Sequence, residues 1–255
     1  MKEFKFKNLS EFLEITSSLP YTFGCHSSDL WYRGIKDVKM RLVPGVIWKG
    51  VGESIEESMI SEFMTYFRNY HGKNGGNAFE LYALMQHYGL PTRLLDWSFS
   101  PLVSLYFALE QPNDKDAQRA VWAMVPHGLN EKTIDFAGVV APNEFKQSSI
   151  NNYLPKYLRN SNVPIPTGAV AISLPFSNQR VTSQKGAFTI HGHGTQPVEE
   201  LFAKHGLDKI ACLTLESEDY RMPLLEQLYS IGVKEDDIYQ DLNSLSKRVM
   251  REFGI

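Results

Sequence analysis

Three stretches of the chain gather side chains that could do chemistry. In QHYGLPTRLLDW (86–97), Gln86, His87, Thr92, Arg93, Asp96 and Trp97 cluster around a tight Gly89-Leu90-Pro91 turn. Such a density of hydrogen-bonding types is unusual for a core segment. Arg93 and Asp96 can pair, and an arginine held that way offers its planar fork to a carboxylate or phosphate. The plainer reading is that this pair only pins the loop while His87 caps a carbonyl. In WYRG (31–34), Arg33 follows two aromatics, Trp31 and Tyr32, and precedes Gly34. A strand end of this kind projects a rigid guanidinium, and glycine admits a ligand or another backbone closely. Alone, the pattern equally fits a surface arginine between core aromatics. In RVTSQKGAFTIHGHG (180–194), Gln184 and Gly186 stand at the start of an alternating run. That run ends on His191 and His193, whose spacing would put both imidazoles on one strand face. No third ligand is near, and His87 lacks a histidine or cysteine partner, so no metal is expected.

Helices and strands must position these residues. Ser10 is a plausible cap for a helix that starts at Leu9, Phe12, Leu13 and Ile15. Leu30 to Gly34 reads as a strand. Ile60, Phe63, Met64 and Phe67 form the stripe of an amphipathic helix over 55–70. Asn77 can cap a second helix over 78–88, which Gly89 and Pro91 stop. Pro101 suits the first turn of a third helix over 102–109, capped by Ser98 or Ser100. Strands are expected at 119–125, 168–174, 179–182, 187–190 and 209–215, with helices at 220–230 and 242–253. Residues 127–167 suggest short helices. Helices crowd the N-terminal half and strands the C-terminal half. The expectation is one α+β domain over 1–255, with the helices packed on a mixed or antiparallel sheet.

Composition narrows the function. The 255 residues are 43% apolar and 22% charged, with net charge −3 and two cysteines, Cys25 and Cys212. A core of this size needs no disulfide or metal staple. The small net charge gives no global basic field for nucleic acid or anionic membrane, although a local basic cleft stays open. No run of about 18 apolar residues offers a membrane span. MKEFKFKNLSEFLEI lacks the uninterrupted apolar core and cleavage site of a secretory leader, so a cytoplasmic, reducing location is expected. GxxxxGK[ST], GxGxxG after a strand and GxSxG are all missing, which leaves P-loop, Rossmann and hydrolase readings without support.

WYRG, then QHYGLPTRLLDWSFSPLVSLYFAL, then RVTSQKGAF and the late elements through DLNSLSKRV resemble the FRG domain in the same order, over roughly 25–250. Ser98 stands where that family commonly has threonine. The resemblance implies no settled activity; members are often described around phage-defence or toxin-type loci. A fainter likeness is to arginine–serine–glutamate ADP-ribosyltransferases. It implies that Arg33 grips NAD as substrate and that Ser98 props the site. The strand expected to carry the glutamate has Gln184-Lys185-Gly186 instead, with Gly186 in its place. Glutamine can bond a ribose hydroxyl but brings no negative charge to a developing cation. Either Asp96 supplies that charge or the domain binds without turnover. On this reading Arg33, Asp96 and Gln184 carry the reaction, and Tyr32, Gly34, His87, Thr92, Arg93, Ser98 and Gly186 bind the ligand. Three functions follow: an NAD-using ADP-ribosyltransferase-like enzyme, a non-catalytic module for a nucleotide, nucleic acid or phage component, and a nuclease or phosphotransferase. A macromolecular target or a restraining partner protein is compatible with each.

Overall fold

The computed structural model describes residues 1–71, 77–113, 117–141, 148–159, 161–174 and 183–255. The expected strand at 179–182 lies outside them. The fold is α+β, built on a seven-stranded mixed sheet. Its strands are β1 (Lys2–Phe6), β2 (Trp31–Ile35), β3 (Leu94–Ser98), β4 (Ala120–Met124), β5 (Ala169–Ile172), β6 (Gly186–His191) and β7 (Ile210–Leu215). They lie in the order β1-β7-β4-β2-β3-β6-β5, parallel only between β1 and β7. Both halves of the chain contribute strands. Two of these had little sequence signal. In β1, KEFKF exposes its charges at an edge. In β3, Leu94, Leu95, Trp97 and Ser98 are all buried, so no alternation shows.

Helices α1 (Leu9–Phe23), α2 (Gly45–Trp48), α3 (Glu53–His71), α4 (Ala78–His87), α5 (Pro101–Leu109), α6 (His127–Ile134) and α7 (Ser148–Asn151) come first. They are followed by α8 (Val198–Lys204), α9 (Arg221–Ser230), α10 (Glu235–Tyr239) and α11 (Leu242–Glu252). Local chemistry sets several of their ends. Asn8, rather than Ser10, caps α1 by accepting from the Glu11 amide. Asn77 caps α4 and Ser100 caps α5, with Pro101 in the first turn of α5.

One face of the sheet carries a single core that runs across β2 to β7 and includes Trp31, Leu95, Trp97, Trp122, Ala187 and Cys212, with α8 packed on it. The opposite face carries two cores. One joins β2, β4 and β7 to α1, α5 and α9; the other joins β3, β5 and β6 to α3 and α4. The boundary between them falls where β2 meets β3. There the ladder is a single pair, Tyr32 with Ser98, whereas β2–β4 and β3–β6 each run for five pairs. Among the described residues no helix is long and apolar enough to cross a membrane.

Candidate functional site

A cavity of about 330 Å³ opens at that break in the ladder. The β2 wall supplies Tyr32, Arg33 and Gly34; β3 supplies Asp96, Trp97 and Ser98. Helix α4 brings Ala83, Gln86 and His87, and α5 brings Ser104 and Phe107 with Glu110 just beyond its end. Gln184, Gly186 and Phe188 close the far side. The guanidinium of Arg33 spans the break: Nη1 donates to the carbonyl of Asp96 at 2.6 Å and stands 3.8 Å from its Oδ2. The side chain stays 27% exposed, while that of Asp96 is 59% exposed. Burial lowers the pKa of Arg33 and the Asp96 charge opposes the shift, so the group remains a cation with its fork at the cleft. Gln86 completes the bridge, donating from Nε2 to Asp96 Oδ1 at 2.6 Å.

Ser98 fixes the other wall. Its Oγ donates to the Gln184 carbonyl at 2.6 Å and accepts from the Ser100 amide at 3.0 Å. The Phe99 amide also donates to the Lys185 carbonyl at 2.9 Å. Lys185 adopts a left-handed φ of 48°, which turns the chain sharply into β6 at Gly186. Among the described residues, the buried Nε2 of Gln184 has no hydrogen-bond partner.

Residues 28–117 match the FRG domain family model. This stretch is an FRG domain. No curated protein and no solved structure matches the chain. Every residue lining the cleft except Gln184, Gly186 and Phe188 belongs to the FRG stretch, so the matched motifs and the cleft largely coincide.

Not every motif residue of the FRG domain reaches this cleft. Arg93 does not pair with Asp96, because residues three apart along an extended chain point to opposite sides. It is buried instead against α3, where Nε and Nη2 donate to Glu56 Oε2 at 2.8 and 2.6 Å. Its Nη1 donates to the Gly192 carbonyl at 2.9 Å. Tyr82 joins them, donating to Glu56 and accepting from the Arg93 amide. Burial, then the Glu56 charge, pushes the Tyr82 hydroxyl well up, so it stays a donor. Arg93 therefore ties α3 to β3 and is absent from the cleft lining.

Thr92 donates to Gln86 Oε1 and lines a second cavity of about 300 Å³, which shares Arg33, Gln86 and Asp96 with the first. Gly34 borders the cleft, yet its lack of a side chain serves the fold. A Cβ there would lie 1.8 Å from the Ser104 carbonyl oxygen, so α5 can approach β2 only over glycine. Tyr32 is mostly core, and burial raises its hydroxyl to about 12.

The two histidines do not act as a pair. His191 is buried, with its pKa lowered to about 3 by burial first and by the Arg93 charge second. His193 lies past the strand end, its Nδ1 2.8 Å from the Ile165 carbonyl. No group of three metal-ligating side chains occurs among the described residues.

Ala83, Ser104, Phe107, Glu110 and Phe188 line the cleft without any sequence signal that marks them for it. Ala83, Ser104 and Phe107 sit on helices, and Phe188 on a strand, whose apolar pattern reads as plain packing. Glu110 ends the long SPLVSLYFALE run and, by sequence, is merely a polar helix terminus.

Proposed function

We propose that the cleft binds NAD and transfers its ADP-ribosyl group. The observation that carries this reading is the meeting, in one cavity, of the Arg33 fork, the carboxylates of Asp96 and Glu110, and the Ser98-propped turn at Gln184. Arg33 presents donors to a diphosphate or ribose, and bidentate geometry makes it selective for such planar or tetrahedral anions. In the reaction, the bond between ribose C1′ and the pyridinium nitrogen breaks, and its electron pair leaves with neutral nicotinamide. C1′ becomes an oxocarbenium-like cation, an acceptor nucleophile bonds to it, and the nucleophile's proton passes to a base. A carboxylate fixed near C1′ strengthens its interaction only as that charge develops, which is what lowers the barrier.

One observation favours a second reading, binding without turnover. Gly186 stands where the likeness to ADP-ribosyltransferases asks for glutamate, and neither it nor the Gln184 amide beside it in the wall carries a charge. Calorimetric titration with NAD and AMP, beside a nicotinamide-release assay with cell extract as a source of acceptors, separates the two. Affinity for NAD with release supports transfer. Affinity without release supports the binding module, and no affinity for either nucleotide rejects both.

A further inference from the structure

Asp96 and Gln184, the residues that sequence offers as stand-ins for the missing glutamate, are each poorly suited to the task. Gln184 is neutral. The Asp96 carboxylate is 59% exposed, accepts from Gln86 and stands 3.8 Å from the Arg33 cation, so water and guanidinium both disperse its field. Glu110 is a third acidic candidate on the cleft wall, and its setting differs. It follows α5 directly, and its two carboxylate oxygens accept from the Tyr239 hydroxyl at 2.8 and 2.6 Å. By donating to it, the phenol orients the carboxylate.

The elements around Glu110 hold it to the cleft. Tyr239, on α10, packs its ring edge-on to Phe107, a neighbouring cleft residue, at 6.0 Å between centroids. The same helix is tied to the opposite wall, because Ser183 Oγ donates to the Ile238 carbonyl at 2.9 Å, one residue before Gln184. Arg221 donates to the carbonyls of Leu109 and Glu110 at 2.7 and 3.0 Å. It thereby offsets the negative end of α5, which would otherwise repel an acid at this point. Two late residues, Tyr239 and Arg221, thus converge on one early glutamate, and both lie outside the FRG stretch.

We propose that Glu110 is the carboxylate that faces positive charge in this cleft and that Tyr239 is its positioning residue. The inference rests on the NAD-using reading above and names the group that performs its electrostatic step. As the C1′–nitrogen bond breaks and the pair leaves with nicotinamide, Glu110 balances the charge at C1′. When the acceptor bonds to C1′, Glu110 takes the acceptor's proton and later releases it to water.

The test compares wild type, Glu110→Gln, Tyr239→Phe and Asp96→Asn as full-length chains. Three quantities are read: NAD affinity, nicotinamide release, and affinity for the 1-methylnicotinamide cation relative to neutral nicotinamide. Glu110→Gln is expected to cut release roughly 100-fold or more, the scale of losing one preorganised electrostatic group, with NAD affinity little changed. It is also expected to abolish any preference for the cationic ring. Tyr239→Phe keeps the ring and loses only the hydroxyl, so about a tenfold loss of release at unchanged NAD affinity is expected. That variant carries the test if Glu110→Gln does not fold. Retained release and cation preference in Glu110→Gln and Tyr239→Phe, with release lost in Asp96→Asn, overturn the assignment and leave the NAD reading standing. Cation preference lost in Glu110→Gln, but no release by wild type, keeps the assignment and removes the transferase reading. If wild type binds neither NAD nor the cationic ring, both fall.

Discussion

Arg33 and Arg93 look alike in sequence, each beside a turn and each in a polar motif, yet the fold uses them in opposite ways. Arg93 is engaged at all three guanidinium nitrogens, with two bonds to Glu56, one to the Gly192 carbonyl and almost no exposure. Arg33 makes one bond to a backbone carbonyl and a long contact to Asp96, and about a quarter of it faces solvent. The first arrangement consumes the donors of the guanidinium internally. The second leaves donors for something else. Motif membership does not separate the two arginines; the number of donors already satisfied does.

The contrast breaks most visibly at Glu56. Glu56→Gln leaves the buried Arg93 charge with only the half-exposed Glu53, 3.8 Å away, and removing the close partner of a buried pair costs about 3–5 kcal/mol. For a chain of this size the melting temperature should drop on the order of 10 °C. A drop of a degree or two would mean that Arg93 is no more structural than Arg33.

A smaller effect is expected from acid, through His191, which lies near Arg93. Its folded pKa of about 3 is below the ordinary 6.5, so the folded state binds fewer protons between those values. The stability it contributes is fully present above about pH 6.5 and is lost as pH falls towards 3, at about 1.4 kcal/mol per pH unit at most. His191→Asn should flatten the melting-temperature profile between pH 6.5 and 4. An unchanged slope would show that other groups govern acid sensitivity.

The least effect on stability is expected at the open arginine. Arg33→Lys keeps the charge beside Asp96 in a water-accessible setting, so the melting temperature should move by about 1 kcal/mol or less in equivalent stability. Ligand affinity should nevertheless fall by about 1.5–3 kcal/mol, because lysine lacks the planar fork. Equal affinity with a lowered melting temperature would erase the distinction between the two arginines.

Much of this was legible in the chain because local signals are strong. The Asn77 cap, the Ser100-Pro101 helix start and the stripe on α3 each fix an element by neighbours within four residues. The gathering of Arg33, His87, Asp96, Ser98 and Gln184 follows from polar types at glycine-marked element ends. Arg93 misled because β3 is buried on both faces. With apolar residues at Leu94, Leu95 and Trp97, nothing in the pattern announces a strand or tells which side each polar neighbour takes. Glu56 left no mark for a different reason: in the acidic first turn of an amphipathic helix it has the look of solvated charge. Glu110 gave no signal at all, since its partner Tyr239 is 129 positions away.

The single pairing of Tyr32 with Ser98 makes the middle of the sheet a seam between two stitched panels, β1-β7-β4-β2 and β3-β6-β5. Each panel keeps its own ladder and its own helices on the cleft side. The width of the seam is therefore set by side chains, with Arg33 acting as a strut against the Asp96 carbonyl, rather than by backbone pairing. A lineage carrying this architecture could retailor what fits the seam by changing a few struts, without unpicking a row of stitches on either side.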